Sequence, residues 1–429
     1  MKIVLKQINM LNPEQKLNEQ NDLLIEDGVI KKIGNVTEAD TKSSTVYDFS
    51  NKYCVPGFFD MHVHLREPGR EDEETVETGC NAAAVGGFTG VACMPNTNPD
   101  IDSAEVVRFI IERASNHVVD VYPVAAATLG RKGEAISPML ELHSAGAVGF
   151  SDDGVAIKTA GILRNVLEYS KMVDAPIIEH CEDESLAGGA MNESFTSTLL
   201  GLQGIPNVAE DLIVMRDIMM AEFTGARIHI AHISSKNAVD LVRQAKKKGI
   251  KVTAEVAPHH FSLTDDLLKS FDTNYKMNPP LRTQEDLEAM IHGLKDGTID
   301  CIASDHAPHS IEEKEMEFIY APNGILGLES QLGLAISELV SKKILTLSQL
   351  VEKLSINPRK ILNIPVPQIK IGEIANLTIF DDKQIWTVDV SKFKSKSKNS
   401  PYDQRLLTGK SIAVINRKKM YFEDKMFSI

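Results

Sequence analysis

Cysteine, tryptophan and long apolar runs are scarce in this chain of 429 residues. Its five cysteines are scattered and odd in number, and none forms a C-x-x-C pair. That pattern argues against a disulfide framework and against a cysteine-based zinc site, and it is typical of a reducing compartment. The sequence also lacks the roughly 20 consecutive apolar residues of a membrane span and the apolar core of a secretory signal. We therefore expect a cytoplasmic protein.

Positive charge is also in short supply. The chain has 46 Lys and Arg residues against 60 Asp and Glu residues, which gives a net charge of −14. An acidic surface repels nucleic acid and anionic membranes, so neither is expected as a partner. A small-molecule substrate is expected instead, and if it is anionic, cationic side chains must surround it locally.

Short apolar strands alternate with amphipathic helices through the middle of the chain. Segments such as QEDLEAMIHGLKDG have the apolar spacing of a helix, and each lies between two predicted strands. Eight such units in succession favour an α/β fold, the (β/α)8 TIM barrel, over an open sheet, whose G-x-G-x-x-G loop is missing. The eight predicted strands are residues 55–63, 87–94, 120–127, 147–152, 175–180, 227–233, 251–257 and 299–304.

Both ends of the chain are rich in short strands and turns. Asp27-Gly28 is a hairpin turn pattern, and the β-rich runs resume at about Gly372. We therefore predict a small β-sandwich domain built from residues 1–54 plus 366–429, and a barrel domain over residues 55–365. The Lys/Ser-rich stretch 391–401 is predicted to be a solvated loop.

Histidines and carboxylates follow the predicted barrel strands. His62 and His64 end the first strand, and residues two apart in a strand face the same side, about 7 Å apart. The carboxyl ends of barrel strands meet at one mouth, and imidazole is a good zinc ligand. Since so many polar groups converge, a cation is needed to make their burial tolerable. The other polar residues at strand ends are Asp152, Asp153, Glu179, His180, His232, Asp305, His306 and His309.

These motifs closely resemble those of dihydroorotases in the amidohydrolase superfamily. The resemblance extends over essentially the whole chain, and the HLREPG and MPNTNP sequences are its most specific parts. The stretches that carry it are FFDMHVHLREPGREDEETVETG (58–79), GGFTGVACMPNTNP (86–99), GFSDDG (149–154), IIEHCED (177–183) and CIASDHAPHS (301–310).

The resemblance implies a binuclear site with two Zn²⁺ ions per subunit. His62, His64 and Asp305 would hold one ion, and His180 and His232 would hold the other. Many relatives bridge the two ions with a carboxylated lysine at the end of the fourth strand.

This chain has no lysine at that position, where it reads Phe150-Ser151-Asp152-Asp153. The departure matches the dihydroorotase branch in which an aspartate bridges the ions. We predict Asp153 as the bridge, with Asp152 as its competitor, because adjacent strand residues face opposite ways.

The resemblance also implies the reaction, which is the reversible cyclisation of N-carbamoyl-L-aspartate to (S)-dihydroorotate in pyrimidine biosynthesis. Asp305 would act as general base and then as general acid. Arg66 would bind the unreactive carboxylate, since guanidinium pairs with carboxylate through two hydrogen bonds. The expected substrate-binding residues are His64, Arg66, Asn96, Asn278, His309, Asn323 and Gly324.

Two other functions stay open at this point. One is another cyclic-amide hydrolase of the hydantoinase or allantoinase type, and the other is a non-catalytic scaffold for aspartate carbamoyltransferase. Relatives of the first type carry the bridging lysine, and scaffolds lose metal ligands.

A homodimer, and a complex with aspartate carbamoyltransferase, are the expected assemblies. Residues 306–328 are predicted to form a lid at the barrel mouth.

Overall fold

The N-terminal residues form a sheet in the computed structural model, which describes residues 1–429. Its strands are β1 (Lys2–Asn12), β2 (Leu17–Glu26) and β3 (Val29–Ile33), which pair antiparallel, followed by helix α1 (Glu38–Lys42) and then β4 (Thr45–Asp48) and β5 (Tyr53–Pro56), which pair parallel to β1. In the turn between β2 and β3, Asp27 has φ 49° and Gly28 has φ 77°. Two positive φ angles are what a type I′ hairpin requires, which confirms the predicted turn.

A barrel of eight parallel strands follows. The strands in this region are β6 (Phe58–Val63), β7 (Phe88–Cys93), β8 (Asp120–Ala126), β9 (Gly149–Ser151), β10 (Ile177–Glu179), β11 (Met191–Asn192), β12 (Gly204–Ile205), β13 (Ile228–Ile230), β14 (Val252–Val256) and β15 (Cys301–Ile302). β11 and β12 pair only with each other, and the other eight pair in chain order. The amide of His64 donates to the carbonyl of His306 at 2.8 Å, which brings the last strand back to the first.

Helices cover the outside of the barrel. In α8, for example, Ala238, Val239, Val242 and Ala245 recur at helical spacing and are buried, whereas the helix ends on exposed lysines. None of the helices combines the length and the apolar character that a membrane crossing requires. The helices are α2 (Val76–Gly86), α3 (Ala104–Ala114), α4 (Met139–Ala145), α5 (Ala160–Ser170), α6 (Phe195–Leu200), α7 (Val208–Thr224), α8 (Lys236–Lys247), α9 (Gln284–Asp296), α10 (Ile311–Lys314), α11 (Gln331–Ala335), α12 (Leu347–Val351) and α13 (Asn357–Ile361).

The C-terminal strands complete the first sheet. β16 (Asn376–Thr387) pairs antiparallel with β5, and β17 (Leu406–Asn416), β18 (Lys419–Phe422) and β19 (Lys425–Ser428) continue from it. The resulting nine-stranded sheet has its own core of 17 buried residues, separate from the barrel core of 66. The predicted fold class, a TIM barrel with a small β domain from both termini, is confirmed.

The prediction of a single strand over residues 55–63 was wrong. β5 ends at Pro56 in the terminal sheet, and β6 begins at Phe58 in the barrel. A Cβ atom on Gly57 would lie 2.1 Å from Thr89 Oγ1 and from Asn376 Oδ1. The absence of a side chain at Gly57 is therefore what lets the chain pass from one sheet to the other.

The prediction of a solvated loop over 391–401 was also wrong. Ser395, Ser397 and Asn399 are buried, whereas the lysines between them are partly or fully exposed. Ser397 Oγ donates to the carbonyl of Glu73 at 2.7 Å, so the segment is attached to the barrel. The period-two alternation of serine and lysine was the sequence pattern that could have indicated this extended, one-sided segment.

Replacing Phe58 by alanine is expected to destabilise the joint between the two domains. Its ring is fully buried, with its centroid 6.1 Å from that of Phe88 in the barrel and 5.8 Å from that of Phe380 in the terminal sheet. Phe58→Ala should lower the free energy of unfolding by about 3–5 kcal/mol, measured by urea titration. Phe58→Leu, which keeps most of the volume, should lose less. Equal unfolding midpoints for the parent and Phe58→Ala would contradict this packing role.

Candidate metal centre and active site

Six buried histidines and aspartates lie together at the carboxyl ends of the barrel strands. They come from the ends of five parallel strands, and the barrel geometry points all of them into one mouth. They are His62 and His64 from β6, Asp153 after β9, His180 after β10, His232 after β13 and Asp305 after β15.

One group of donors surrounds the ends of the two β6 histidines. His62 Nε2 lies 3.4 Å from Asp153 Oδ1 and 3.7 Å from Asp305 Oδ1. His64 Nε2 lies 3.7 Å from Asp153 Oδ2 and 3.2 Å from Asp305 Oδ1. Two imidazole nitrogens and two carboxylates therefore face a common space.

A second group shares Asp153 with the first. His180 Nδ1 and His232 Nε2 are 3.0 Å apart. They lie 3.9 Å and 3.6 Å from Asp153 Oδ1. The Asp153 carboxylate therefore stands between the two histidine pairs.

The neighbouring aspartate is turned away from the histidines. Asp152 accepts hydrogen bonds from the amide of Thr128 at 2.9 Å and from its hydroxyl at 2.5 Å. Of the two adjacent carboxylates, only that of Asp153 lies among the histidines, and that of Asp152 serves the loop after β8.

Several buried nitrogen and oxygen atoms of this cluster have no hydrogen-bond partner. They include His62 Nε2 and Asp153 Oδ1. Unpaired buried polar atoms are costly, and most such atoms in proteins find a partner. Imidazole nitrogen and carboxylate oxygen are the donors that zinc binds in catalytic sites. The arrangement can hold two closely spaced divalent cations.

The charges in the cluster favour a cation between the side chains. Burial by itself raises the pKa of Asp153, but the imidazoles of His62, His232 and His64 together outweigh it and hold that pKa well below its usual range. For Asp305, burial likewise raises the pKa, but the hydrogen bond from His64 and the nearby charges of His62 and His232 together lower it. Burial lowers the pKa of His62, yet Asp153 and Glu255 together raise it well above its usual value.

Glu255 is a site residue that the sequence reasoning missed. Its carboxylate accepts from His62 Nδ1 at 2.6 Å and lies 3.2 Å from His229 Nε2, inside the barrel. Burial raises its pKa, but the charge of His62 and the hydrogen bond from His229 reduce it to about 2. A carboxylate on the outer nitrogen fixes the tautomer of a ligating histidine. The available indication was an acidic residue in the apolar strand β14.

Asn96 orients the other β6 histidine. Its side-chain oxygen accepts from His64 Nδ1 at 2.8 Å, so His64 Nε2 is left facing the carboxylates. We expected Asn96 to contact substrate, and its oxygen is already engaged by this histidine.

Arg66 and His309 lie side by side at the rim. Arg66 Nε donates to the carbonyl of Pro308 at 3.1 Å and lies 3.1 Å from Glu73 Oε2. Arg66 Nη2 is 3.3 Å from His309 Nε2, and His309 Nδ1 is 2.9 Å from Glu73 Oε1. Glu73, which the sequence reasoning also missed, therefore holds both side chains in place.

The remaining predicted contacts line the same opening. Asn278 Nδ2 donates to Glu182 Oε2 at 3.0 Å and lies 3.5 Å from His180 Nε2. Gly324 has φ 132°, and a Cβ atom there would lie 2.6 Å from the Cβ of Ala307. Only glycine fits at that point of the rim.

Backbone strain is concentrated at the site. Arg66, His232 and Asp305 have φ angles of 60°, 31° and 48°. Side-chain-bearing residues rarely adopt this left-handed region, and they hold it where the surrounding structure requires it. The sharp turns after β6, β13 and β15 thus aim these three side chains.

A sequence-family model described as "Dihydro-orotase-like" matches residues 51–238. The dihydroorotase of Syntrophus aciditrophicus (strain SB) is 47% identical over 426 residues, which cover 99% of this chain and 100% of that protein. The dihydroorotase of Acetivibrio thermocellus is 49% identical over 409 residues, covering 95% and 96% of the two chains.

Solved structures of hydantoinases share the fold. The L-hydantoinase (dihydropyrimidinase) from Arthrobacter aurescens superposes with a TM-score of 0.87 at 25% identity, covering 100% of this chain and 97% of that one. The D-hydantoinase from Thermus sp. has a TM-score of 0.83 at 24% identity, covering 100% and 97%. Because the similarity in sequence is far greater to the curated dihydroorotases, and extends over nearly the full length of both chains, this chain belongs to the dihydroorotase family of metal-dependent cyclic amidohydrolases.

Proposed function

We propose that this chain catalyses the reversible cyclisation of N-carbamoyl-L-aspartate to (S)-dihydroorotate with loss of water. The observation that carries the proposal is one carboxylate, that of Asp153, set between two histidine pairs, with Arg66 and His309 beside them. The family membership supplies the substrate, and the cluster supplies groups suited to opening or closing a cyclic amide.

The proposed cofactor is a pair of zinc ions. His62, His64 and Asp305 would hold one ion, His180 and His232 the other, and Asp153 would bridge them. When bound, zinc supplies a nucleophile from water near neutral pH, by lowering the pKa of that water from 15.7 to about 7, and it polarises the amide carbonyl.

Asp305 is proposed to move the proton. Its carboxylate is ionised, since the hydrogen bond from His64 and the charges of the surrounding histidines together lower its pKa despite burial, and it therefore begins the hydrolytic direction as a base. It would take the proton of the attacking water and deliver it to the departing ring nitrogen. In the biosynthetic direction, Asp305 would take the proton of the carbamoyl nitrogen as that nitrogen bonds to the side-chain carboxyl carbon, and would return it to the hydroxyl oxygen of that carboxyl group, which leaves as water when its C–O bond breaks.

Arg66 and His309 are proposed to bind the carboxylate that does not react. Both side chains are mostly buried, which strengthens their interaction with an anion relative to one at an open surface. The guanidinium of Arg66 supplies the local positive charge that offsets the net charge of −14 for the incoming anionic substrate. Burial and the neighbouring Arg66 lower the pKa of His309 to about 3, so its neutral imidazole contributes a hydrogen bond rather than a charge. Asn96 would assist them at the carboxylate, and Asn278 and the Asn323-Gly324 backbone would complete the contacts to the ring.

The alternative substrates are hydantoin and allantoin, because the hydantoinase structures share the fold. The end of β9 carries Asp153 where those relatives are expected to have lysine, which disfavours them. A non-catalytic scaffold is also disfavoured, because all six expected ligand positions carry histidine or aspartate. The five cysteines are all free and buried, which supports placing the proposed reaction in the reducing cytoplasm.

We also propose that the protein is a homodimer through an apolar stripe on α7. The stripe residues recur every three or four positions, so they share one face of the helix. Apolar faces of this length on a surface helix mark interfaces. A bound aspartate carbamoyltransferase is the second candidate for covering it. The stripe consists of Val208, Leu212, Met215, Met219 and Phe223, of which Met219 and Phe223 are 62% and 66% exposed.

Hydrolysis of dihydroorotate by metal-analysed protein tests the proposed reaction. The loss of ultraviolet absorbance should be rapid for the parent and about 10²–10⁴-fold slower for Asp305→Asn, since the amide cannot take up the proton. Both proteins are to be analysed for zinc. Zinc-loaded parent protein that opens hydantoin or allantoin but leaves dihydroorotate intact would disprove the assignment.

Replacing Glu255 by glutamine should weaken zinc binding about 10–100-fold, because His62 loses the carboxylate that orients it. The measurement is a competition titration with a chromophoric chelator. Glu74→Gln is the matched control: Glu74 is equally buried and contacts the histidine His306 at 3.3 Å, outside the proposed ligand set. Equal zinc affinities for the parent and Glu255→Gln would contradict the orienting role.

The double substitution Met219→Glu with Phe223→Glu should convert a dimer to a monomer, as measured by sedimentation velocity. Ile385→Glu, at a 69% exposed apolar residue of the terminal sheet, should leave the dimer intact. A parent protein that sediments as a monomer would refute the homodimer. The aspartate carbamoyltransferase complex would then be tested by adding that enzyme and looking for co-sedimentation lost in the double variant.

A further inference from the structure

Two buried lysines hold the loop that carries Gly324. We call residues 315–326, between α10 and α11, the Gly324 loop. Lys314 and Lys276 are both buried, and their ammonium groups are directed at the backbone of this loop. The sequence reasoning had expected a lid here and had assigned neither lysine a role.

Lys314 uses its ammonium to gather three separate carbonyls. Lys314 Nζ donates to Pro322 O at 3.0 Å, to Gly324 O at 3.1 Å and to Lys276 O at 3.5 Å. An ammonium has three N–H donors, and each is matched by one carbonyl oxygen. Pro322 and Gly324 flank Asn323, so the single nitrogen Lys314 Nζ holds the backbone on both sides of Asn323.

Lys276 extends the same network to the segment that carries Asn278. Its Nζ donates to Ile319 O and to Ala321 O, both at 2.7 Å. Its own carbonyl accepts from the amide of Gly324 at 3.0 Å. The side chain and the carbonyl of Lys276 thereby join the segment that carries Asn278 to the backbone of the Gly324 loop.

Carbonyl oxygens, rather than carboxylates, surround the Lys314 ammonium. Burial, followed by the nearby charge of Lys276, lowers the pKa of Lys314 to about 7. A buried cation kept at such a cost, where an apolar residue would pack without it, indicates that its hydrogen bonds serve the loop. Those bonds end beside the rim, since Asn323 O lies 2.8 Å from His309 Nε2.

We propose that Lys314 is a positioning residue for substrate binding, which holds the Asn323-Gly324 backbone in its binding conformation before substrate arrives. Lys314 does not touch the substrate in this proposal; it acts through the carbonyls of Pro322 and Gly324. A loop ordered in advance has less conformational entropy to lose on binding, which increases affinity. The inference rests on the proposed function, because it takes the dihydroorotate ring as the ligand of this loop.

Lys353 offers a matched control. It is also a buried lysine, and its Nζ donates to the carbonyl of Ile299 at 2.7 Å. Ile299 precedes β15, at the end of the barrel opposite the mouth. Lys353→Met therefore removes a buried ammonium at a similar cost to folding without touching the Gly324 loop.

The test compares Lys314→Met and Lys353→Met with the parent, all analysed for zinc. Lys314→Met should raise KM for dihydroorotate about tenfold or more with kcat nearly unchanged, the pattern of lost binding rather than lost chemistry. Backbone amides of the Gly324 loop should exchange with deuterium faster in Lys314→Met alone. Lys353→Met should lower Tm and leave KM and the exchange of the loop at their parent values.

Three results would overturn the proposal: an unchanged KM in Lys314→Met, equal rises in KM for both variants, or unchanged exchange in the Gly324 loop. If Lys314→Met does not fold, Lys314→Gln is measured in its place: its shorter side chain has only two N–H donors for three carbonyls, so a smaller rise in KM and faster exchange of the loop are expected, and parent values for both would overturn the proposal. A parent protein that fails to hydrolyse dihydroorotate would disprove the proposed function. Deuterium exchange of the Gly324 loop in the parent and in the Lys314 variant would then still decide whether Lys314 orders the loop.

Discussion

The carboxylate of Asp153 is the point on which the site depends. It lies within 4 Å of four imidazoles that arrive from three different strands, and most of its neighbours are buried with it. Such a group of charges cannot be desolvated without mutual compensation. The barrel must therefore hold the side chains at its strand ends at short, fixed distances from one another. The positive φ angles of His232 and Asp305 reflect that requirement.

The support behind the ligands is as specific as the ligands themselves. Glu255 and Asn96 each take the outer nitrogen of one β6 histidine, and Asp152 is occupied by Thr128, which leaves Asp153 alone to face inward. Asp152 is hydrogen-bonded to Thr128 and Asp153 is not, which explains how two adjacent aspartates take unrelated roles. The chain leaves β9 at Ser151 and turns at Asp153, and the two adjacent side chains point to different neighbours.

Much of the fold and of the candidate site could be predicted from the sequence. The eight barrel strands are short apolar runs that alternate with amphipathic helices, a pattern that does not depend on distant residues, and the spacing of His62 and His64 places both side chains on one face. Glu255 was missed because its significance lies in a contact across 193 positions of the chain. The segment 391–401 was misassigned because composition dominated the interpretation, although its buried serines alternate regularly with lysines.

The extended segment that ends in Asn399 also bears on which part of the chain the rim of the site requires. Asn399 Nδ2 donates to the carbonyls of Ala307 and Gly324 at 3.0 and 3.1 Å, and its side-chain oxygen accepts from the amide of His309 at 3.1 Å. The barrel strands are all complete by Ile302, almost 100 residues earlier. A chain truncated just before Asn399 would therefore contain every barrel strand and still lack the three hydrogen bonds through which this side chain supports the rim around His309.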